Sequence, residues 1–117
     1  MADVTIRASY ATVAEEDGQR FVGFVDDEDE GYALFRQPVG GGPVWFELND
    51  EDLGAEDALI LVTAGPKGLE VALKPALAPR FGWAASVSIR AGAACDGRDA
   101  AFDALRAMLG DLWRAAE

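Results

Sequence analysis

Apolar and polar residues alternate along much of the first ninety positions. From Val4 to Tyr10, every second side chain is apolar and its neighbours are mostly polar, which is the period of a strand with one buried face. We therefore expect a first strand over about residues 3–13. Further β-rich runs, bounded by turn residues, predict strands at about 20–25, 32–37, 44–48, 58–63, 69–74 and 83–90.

Glycine and proline mark the breaks between these runs. Residues 38–43 read Pro-Val-Gly-Gly-Gly-Pro, which indicates a loop. The runs at 58–63 and 69–74 are joined by Ala-Gly-Pro-Lys-Gly. That connection is short enough for a hairpin, so the two strands should pair antiparallel. We expect the acidic stretches 26–30 and 50–52 to lie in hydrophilic turns.

The period changes after residues 96–97. Apolar residues then recur at the spacing of one helical stripe, and polar residues such as Asp103 occupy the opposite face. The pattern predicts a helix over about residues 98–115, with Asp96 as its N-cap. The apolar face of the sheet should cover the stripe, which consists of Phe102, Leu105, Met108, Leu109, Leu112 and Trp113.

These elements predict a single α+β domain over residues 1–117, with a mostly antiparallel sheet of about seven strands packed by one C-terminal helix. Two domains of this total length could not each bury a core. The N-terminus lacks the features of a signal peptide, and no apolar run reaches the length of a membrane span. The single cysteine, Cys95, cannot close an internal disulfide. We expect a cytoplasmic location and a packing role for Cys95.

Negative charge is concentrated in one third of the chain. The net charge is -11, and residues 26–57 hold eleven acids against one base, Arg36. A field of this sign repels nucleic-acid backbones and anionic membrane surfaces. The distribution therefore predicts no nucleic-acid or membrane partner and favours a basic protein partner. A homo-oligomer is compatible with the sequence.

Residues for most catalytic and metal chemistry are missing from the sequence. There is no histidine, which removes the commonest general base and the commonest metal ligand. The glycines at 40–42 precede Pro43 and a strand, which argues against a phosphate-binding loop. The acidic stretches match an EF-hand only in part, so weak calcium binding is the most we expect. We predict a protein that is not an enzyme and has no cofactor and no specific metal site.

Trp45 is the aromatic residue that we single out for binding. It is out of phase with the apolar residues on either side of it, and an exposed tryptophan beside carboxylates is a typical hot spot. The opposite phase, with Trp45 inside, stays open. Trp83 and Trp113 are expected in the core. The predicted partner-binding face spans residues 26–30 and 47–57 and includes Asp26, Asp27, Glu28, Asp29, Glu30, Trp45, Glu47, Asp50, Glu51 and Asp52.

Three segments follow one another in the first half of the chain: Val-Gly-Phe-Val-Asp-Asp-Glu at 22–28, Tyr-Ala-Leu-Phe-Arg-Gln at 32–37 and Trp-Phe-Glu-Leu-Asn-Asp at 45–50. Together they resemble the immunity protein 10 family of bacterial polymorphic-toxin systems. Their order and spacing agree with the family pattern, and the hairpin at 59–73 and the C-terminal helix fall where that family has them. The chain departs from the pattern at 35–37, where the family has Leu-Gln-Arg, and at 52–55, where the family is often richer in glycine.

The resemblance implies an immunity protein, which binds a toxin domain made by the same cell or its neighbours and blocks it. Independently, an acidic face suits a nuclease toxin, because a nuclease must be basic to hold nucleic acid. Two other functions stay open: a small-ligand-binding or regulatory subunit with no toxin partner, and a hydrolase that uses two carboxylates. A toxin gene beside this one would favour the immunity function, and a location in a metabolic operon would contradict it.

Overall fold

The structure is a computed structural model that describes residues 3–28 and 30–115. The α+β class and the C-terminal helix are confirmed, but the expected single sheet of about seven strands is wrong, because the described chain forms two five-stranded sheets. The helix is α1 (Arg98–Leu109). The strands are β1 (Val4–Arg7), β2 (Tyr10–Glu16), β3 (Gln19–Asp26), β4 (Gly31–Pro38), β5 (Trp45–Leu48), β6 (Asp50–Glu56), β7 (Leu59–Gly65), β8 (Gly68–Leu73), β9 (Ser86–Arg90) and β10 (Trp113–Ala115).

The first sheet has the strand order β1, β9, β8, β7, β10. β7 and β8 form the predicted antiparallel hairpin, with Gly65 opposite Gly68 across the tight turn. The two edge strands, β1 and β10, pair in parallel with β9 and β7. Segments from both ends of the chain therefore flank the central β7–β9 unit.

The second sheet is an antiparallel meander that follows chain order from β2 to β6. The β3–β4 register ends with Asp26 opposite Gly31, which closes the turn between these strands. A bulge shifts the β5–β6 register between Glu47 and Leu48. In a meander, successive turns lie at alternate ends of the sheet, so the β3–β4 and β5–β6 turns share one end.

Both sheets and the helix contribute to one cluster of buried apolar side chains. From the second sheet, Phe24, Phe35 and Phe46 project into it, with ring centroids of successive pairs 6.3 and 4.8 Å apart. On α1, Leu105 is fully buried and Phe102 packs against Phe24 with centroids 6.2 Å apart. The helix thus packs its apolar stripe on β2 and β3, as the amphipathic pattern predicts.

The predicted first strand, residues 3–13, is two strands that belong to different sheets. Ala8 donates its N–H to the Arg90 carbonyl of β9, and Ser9 donates to the Val25 carbonyl of β3. The chain therefore crosses from one sheet to the other between these two residues. The alternation in the sequence does not reveal the crossing, because the buried phase shifts there: Tyr10, in phase with the buried Ile6, is exposed, and Ala11 is buried instead.

The helix ends earlier than the predicted residue 115. It stops at Leu109, where Gly110 adopts φ 56° and ψ -119°, a conformation open mainly to glycine, and donates its N–H to the Arg106 carbonyl. A 3₁₀ turn, Gly110–Leu112, leads into β10. Trp113 is half-buried on β10 and packs against the core cluster from this edge strand.

The helix starts at Arg98, but its N-cap residue is Gly97 and not Asp96. The backbone of Asp96 extends the sheet instead, since its carbonyl accepts the Ala11 N–H at 2.7 Å and its N–H donates to the Ser9 carbonyl at 3.3 Å. Gly97 has φ 78°, and a Cβ there would lie 2.4 Å from the Ala11 carbonyl oxygen. Only glycine fits this left-handed, close contact.

Two more segments differ from the sequence prediction. Residues 50–52, expected in a turn, begin β6, because the β5–β6 turn is confined to Asn49. The last strand, predicted over residues 83–90, starts only at Ser86, so residues 83–85 lie before it. Trp83 follows a 3₁₀ segment, Pro75–Phe81, and is exposed in a loop.

Across residues 3–28 and 30–115, no helix has both the length and the apolar character to cross a bilayer.

Candidate protein-binding face

The acidic β3–β4 turn and the acidic start of β6 lie side by side at one end of the second sheet. Asn49, in the β5–β6 turn, accepts the Tyr32 N–H on its side-chain oxygen at 2.9 Å and donates its own N–H to the Tyr32 carbonyl at 3.0 Å. Tyr32 is the second residue of β4, directly after the β3–β4 turn. We call this region the acidic end; its described acids are Asp26, Asp27, Glu28, Glu30, Asp50, Glu51 and Asp52.

Hydrogen bonds within the acidic end fix its shape. Asp27 accepts the Ser9 hydroxyl at 2.6 Å, which ties the β3–β4 turn to the crossing between the sheets. The N–H groups of Glu28 and Asp52 donate to the side chains of Asp26 and Asp50, each two residues earlier. The acids are therefore held in defined positions by short-range contacts typical of turn aspartates.

Most of the acidic end is open to solvent. Six of its seven described acids are exposed, and Asp26 is the buried exception at 7% exposure. Burial of Asp26 differs from the expectation that the whole stretch 26–30 is solvated. Asp29 lies outside the described residues. The other predicted acid that is buried, Glu47, is on a strand rather than in a turn.

Glu47 lies on the outer face of the second sheet, the side away from the core. Its carboxylate accepts the Tyr32 hydroxyl at 2.5 Å and the Trp45 indole N–H at 2.9 Å. One carboxylate thus links β4 and β5 and fixes the orientation of two aromatic rings. Charged acceptors form strong hydrogen bonds. Glu47 therefore connects Tyr32, which lies beside the acidic end, to Trp45 through two hydrogen bonds.

Trp45 is half-buried and points away from the core, which confirms that it is out of phase with its buried neighbours Val44 and Phe46. Its indole lies over Gly54 of β6, where a Cβ would be 2.5 Å from the indole Cζ2. The Arg36 guanidinium carbon lies 5.0 Å from the ring centroid, within the range of a cation–π contact. The ring is therefore held between a glycine and an arginine.

The burial and negative charge of the outer face change the pKa of the Tyr32 phenol. Burial, the hydrogen bond to Glu47 and the negative charges of Glu47, Asp50 and Glu51 together raise the pKa of Tyr32 far above its usual range. A phenolate there would add a charge where carboxylates already dominate. Tyr32 therefore remains a neutral hydrogen-bond donor at physiological pH.

The structure brings most of the predicted face together but divides it into two regions. Glu56 and Asp57 lie at the far end of β6, where Glu56 is opposite Trp45 and Asp57 pairs with Lys74 at 3.1 Å. A surface cavity of about 380 Å³ lies at this far end, lined in part by Trp45, Phe21 and Glu56. The face is thus the acidic end, the Trp45 region and the outer surface between them.

Sequence reasoning missed Tyr32, Arg36 and Gly54 as parts of this face. A signal for the first two exists: they alternate with the buried Ala33 and Phe35 along β4. That alternation places them on the outer face, and antiparallel pairing sets Arg36 opposite Trp45. The contact with Gly54 has no local signal, because it depends on the register after a bulge.

Cys95 fits the expected packing role. It is buried, and burial raises the pKa of its thiol. A protonated thiol is a poor nucleophile at neutral pH. Among the described residues, no group of three or more acidic, histidine or cysteine side chains is arranged to hold a metal ion.

Comparisons with known proteins gave no match to a family model, to a curated protein or to a solved structure.

Proposed function

We propose that this protein is an immunity protein of the bacterial cytoplasm that binds a basic toxin domain through its acidic end and blocks it. It acts by binding and not as an enzyme. The observation that carries the proposal is that the acidic β3–β4 turn and the acidic start of β6 lie side by side, joined by both hydrogen bonds between Asn49 and Tyr32. The resemblance of residues 22–50 to the immunity protein 10 family supports the same function.

The exposed carboxylates of the acidic end act at long range. Their summed field attracts a basic surface and increases the rate of encounter. A nuclease toxin carries such a surface where it holds nucleic acid. An acidic protein bound there blocks the substrate by charge and by bulk, so no chemistry is required of the immunity protein.

The outer face acts at short range. Trp45, Tyr32 and Arg36 belong to the residue types enriched at binding hot spots. Glu47 fixes the first two by hydrogen bonds, and Arg36 stacks on the indole. Side chains that are already ordered lose little conformational entropy on binding. The acidic end thus governs association, and the aromatic region lengthens the lifetime of the complex.

The test compares two variants with the same change in net charge. The first neutralises three exposed acids of the acidic end and spares Asp26, Asp27 and Asp50, whose side chains accept hydrogen bonds that fix its shape: Glu28→Gln, Glu51→Gln and Asp52→Asn. The control neutralises three exposed acids on and just after the helix: Asp99→Asn, Asp103→Asn and Asp111→Asn. Binding kinetics are measured over a range of salt concentrations, with the toxin domain encoded beside the gene as the probe.

We expect the acidic-end variant to associate about ten-fold more slowly at low salt, with a weaker salt dependence, and the control to associate nearly like the wild type. Urea unfolding should show equal or higher stability for the acidic-end variant, because neutralisation relieves repulsion. The control should keep about the wild-type stability, because its Asp99 and Asp103 form only exposed ion pairs, with Arg98 and Arg106. Equal association rates for the two variants would contradict the acidic end as the binding site. A neighbouring toxin domain that does not bind the wild type would contradict the proposed function itself.

A further inference from the structure

Trp83 is the most exposed of the large hydrophobic side chains in the described chain. It is 76% exposed, while the next values are 48% for Val39 and Ile60. The sequence placed Trp83 on a strand with its side chain in the core. A tryptophan left in water loses the largest gain that any side chain can obtain from burial, so its position outside the core requires an explanation.

The backbone of Trp83 is held in an unusual conformation. Its φ is 70°, in the left-handed region that bulky residues rarely adopt. The preceding Gly82 is also left-handed at φ 63°. The conformation is secured by two hydrogen bonds, from the Trp83 N–H to the Ala78 carbonyl at 2.8 Å and from the Ala84 N–H to the Phe81 carbonyl at 3.3 Å. Strain of this kind persists only where the surroundings enforce it.

Buried residues anchor the loop close to the indole on both sides. Phe81, two residues before Trp83, is 3% exposed, and its ring centroid lies 5.8 Å from that of Phe46. Ala84, the residue after Trp83, is 4% exposed. The indole is therefore presented on a loop with fixed ends. A rigid aromatic anchor of this kind costs little entropy when it enters a partner's pocket.

The surroundings of Trp83 combine an apolar surface with nearby acids. Residues 75–85 contain a single charged residue, Arg80, and several of their apolar side chains are exposed, including Pro75, Ala76 and Pro79. The 3₁₀ segment Pro75–Phe81 packs beside β6. β6 carries four exposed acids: Asp50, Glu51, Asp52 and Glu56. An exposed apolar patch bordered by charge is typical of a protein-binding surface.

We infer that Trp83 is an anchor for the same basic protein partner, which contacts the acids of β6 and receives the indole in an apolar pocket. This inference rests on the proposed function and extends its surface around the β6 edge of the second sheet. A second copy of this chain is the less suitable occupant. A two-fold contact at this edge would bring the carboxylates of β6 against their own counterparts, and like charges at an interface oppose association.

The test measures dissociation of the complex with the toxin domain encoded beside the gene. Trp83→Ala should raise the dissociation rate at least ten-fold and leave the association rate nearly unchanged, because the loss of an apolar anchor acts on the lifetime of a complex. Trp83→Phe should give an intermediate rate. Val39→Ala, which trims an exposed apolar side chain on the β4–β5 loop, is the matched control and should dissociate like the wild type.

Further measurements separate the outcomes. Thermal unfolding of Trp83→Ala should match the wild type. Since the chain has three tryptophans, binding should lower the acrylamide quenching of the total tryptophan fluorescence more in the wild type than in Trp83→Phe. A wild-type dissociation rate for Trp83→Ala, with slower association of the acidic-end variant, overturns this inference and leaves the proposed function standing. A toxin domain that does not bind at all overturns both. Self-association of the wild type that Trp83→Ala abolishes would assign the surface to a second copy and overturn the inference.

Discussion

The indole of Trp45 rests on Gly54, where the neighbouring strand has no side chain. A Cβ built at position 54 would stand 2.5 Å from Cζ2 and 2.9 Å from Cε2 of the ring, and 3.0 Å from the Phe46 carbonyl oxygen. The glycine thus makes room for the aromatic ring on the outer face. Pairing of an aromatic residue with a glycine on the adjacent strand is a recognised stabilising device in sheets.

Gly54→Ala should therefore destabilise the protein by about 1–3 kcal/mol, the range for forcing an extra carbon into a packed site. The tryptophan fluorescence of the protein should change as the Trp45 ring is displaced. The control is Gly40→Ala, because a Cβ at position 40 has no atom within 4 Å; its stability should stay within about 0.5 kcal/mol of the wild type. Equal urea midpoints for the two variants would show that the indole does not pack on position 54.

The phenol of Tyr32 offers a direct measure of the electrostatics of the outer face. In a Tyr10→Phe background Tyr32 is the only tyrosine, since the chain has two, and phenolate absorbance then reports it alone. We expect ionisation well above the usual tyrosine range, because burial and Glu47 raise the pKa of Tyr32. Adding Glu47→Gln should shift the pKa downward. An unchanged titration curve would show that Glu47 does not act on this phenol.

The same pKa shift makes stability depend on alkaline pH. The pKa of Tyr32 is raised in the folded protein, so above the unfolded value of 10.0 the folded state holds a proton that the unfolded state has lost. The Tyr32 contribution is therefore fully present below about pH 10 and is lost as the pH rises further. Urea unfolding from pH 9 to 11 in the wild type and in Tyr32→Phe tests this. The difference in stability between the two proteins should shrink with rising pH.

Arg98 joins the start of the helix to the first sheet. Its Nε donates to the Ala91 carbonyl at 2.7 Å, its Nη2 donates to the Gly65 carbonyl at 2.9 Å, and its guanidinium carbon lies 4.2 Å from the Phe102 centroid. Lysine cannot reach two carbonyls with a planar fork. We expect Arg98→Lys to lower the free energy of unfolding by about 1–3 kcal/mol, whereas Arg106→Lys, at a side chain 70% exposed, should have little effect.

Truncation of Trp113 should destabilise the protein much more than truncation of Trp83. Trp113 packs against Phe102 with ring centroids 5.8 Å apart and is half-buried, so Trp113→Ala should cost about 2–4 kcal/mol, less than a fully buried tryptophan. Trp83 is mostly exposed, and Trp83→Ala should change stability by less than about 0.5 kcal/mol. Thermal unfolding of the two variants checks the contrast. A large loss for Trp83→Ala would mean that its indole packs in solution.

The face assigned to each residue within a strand could be predicted from the sequence. Along β5, Trp45 and the buried Phe46 are on opposite sides, as their alternation indicates, because the side-chain direction of a strand is a local property of period two. The hairpin β7–β8 and the start of α1 at Arg98 follow from equally local signals, a short turn and a change of period. The acidity of residues 26–57 was likewise evident from composition alone.

The division of the strands between two sheets was decided by the tertiary structure. Ala8 bonds to Arg90 and Ser9 to Val25, and such pairing joins residues far apart in sequence that carry no local mark of each other. Glu47 is buried and accepts hydrogen bonds from both Tyr32 and Trp45, and Trp83 is exposed between the buried Phe81 and Ala84. Sequence alone indicated the acids and Trp45 as candidate binding residues, and long-range backbone pairing decided that Arg36 and Gly54 lie beside Trp45.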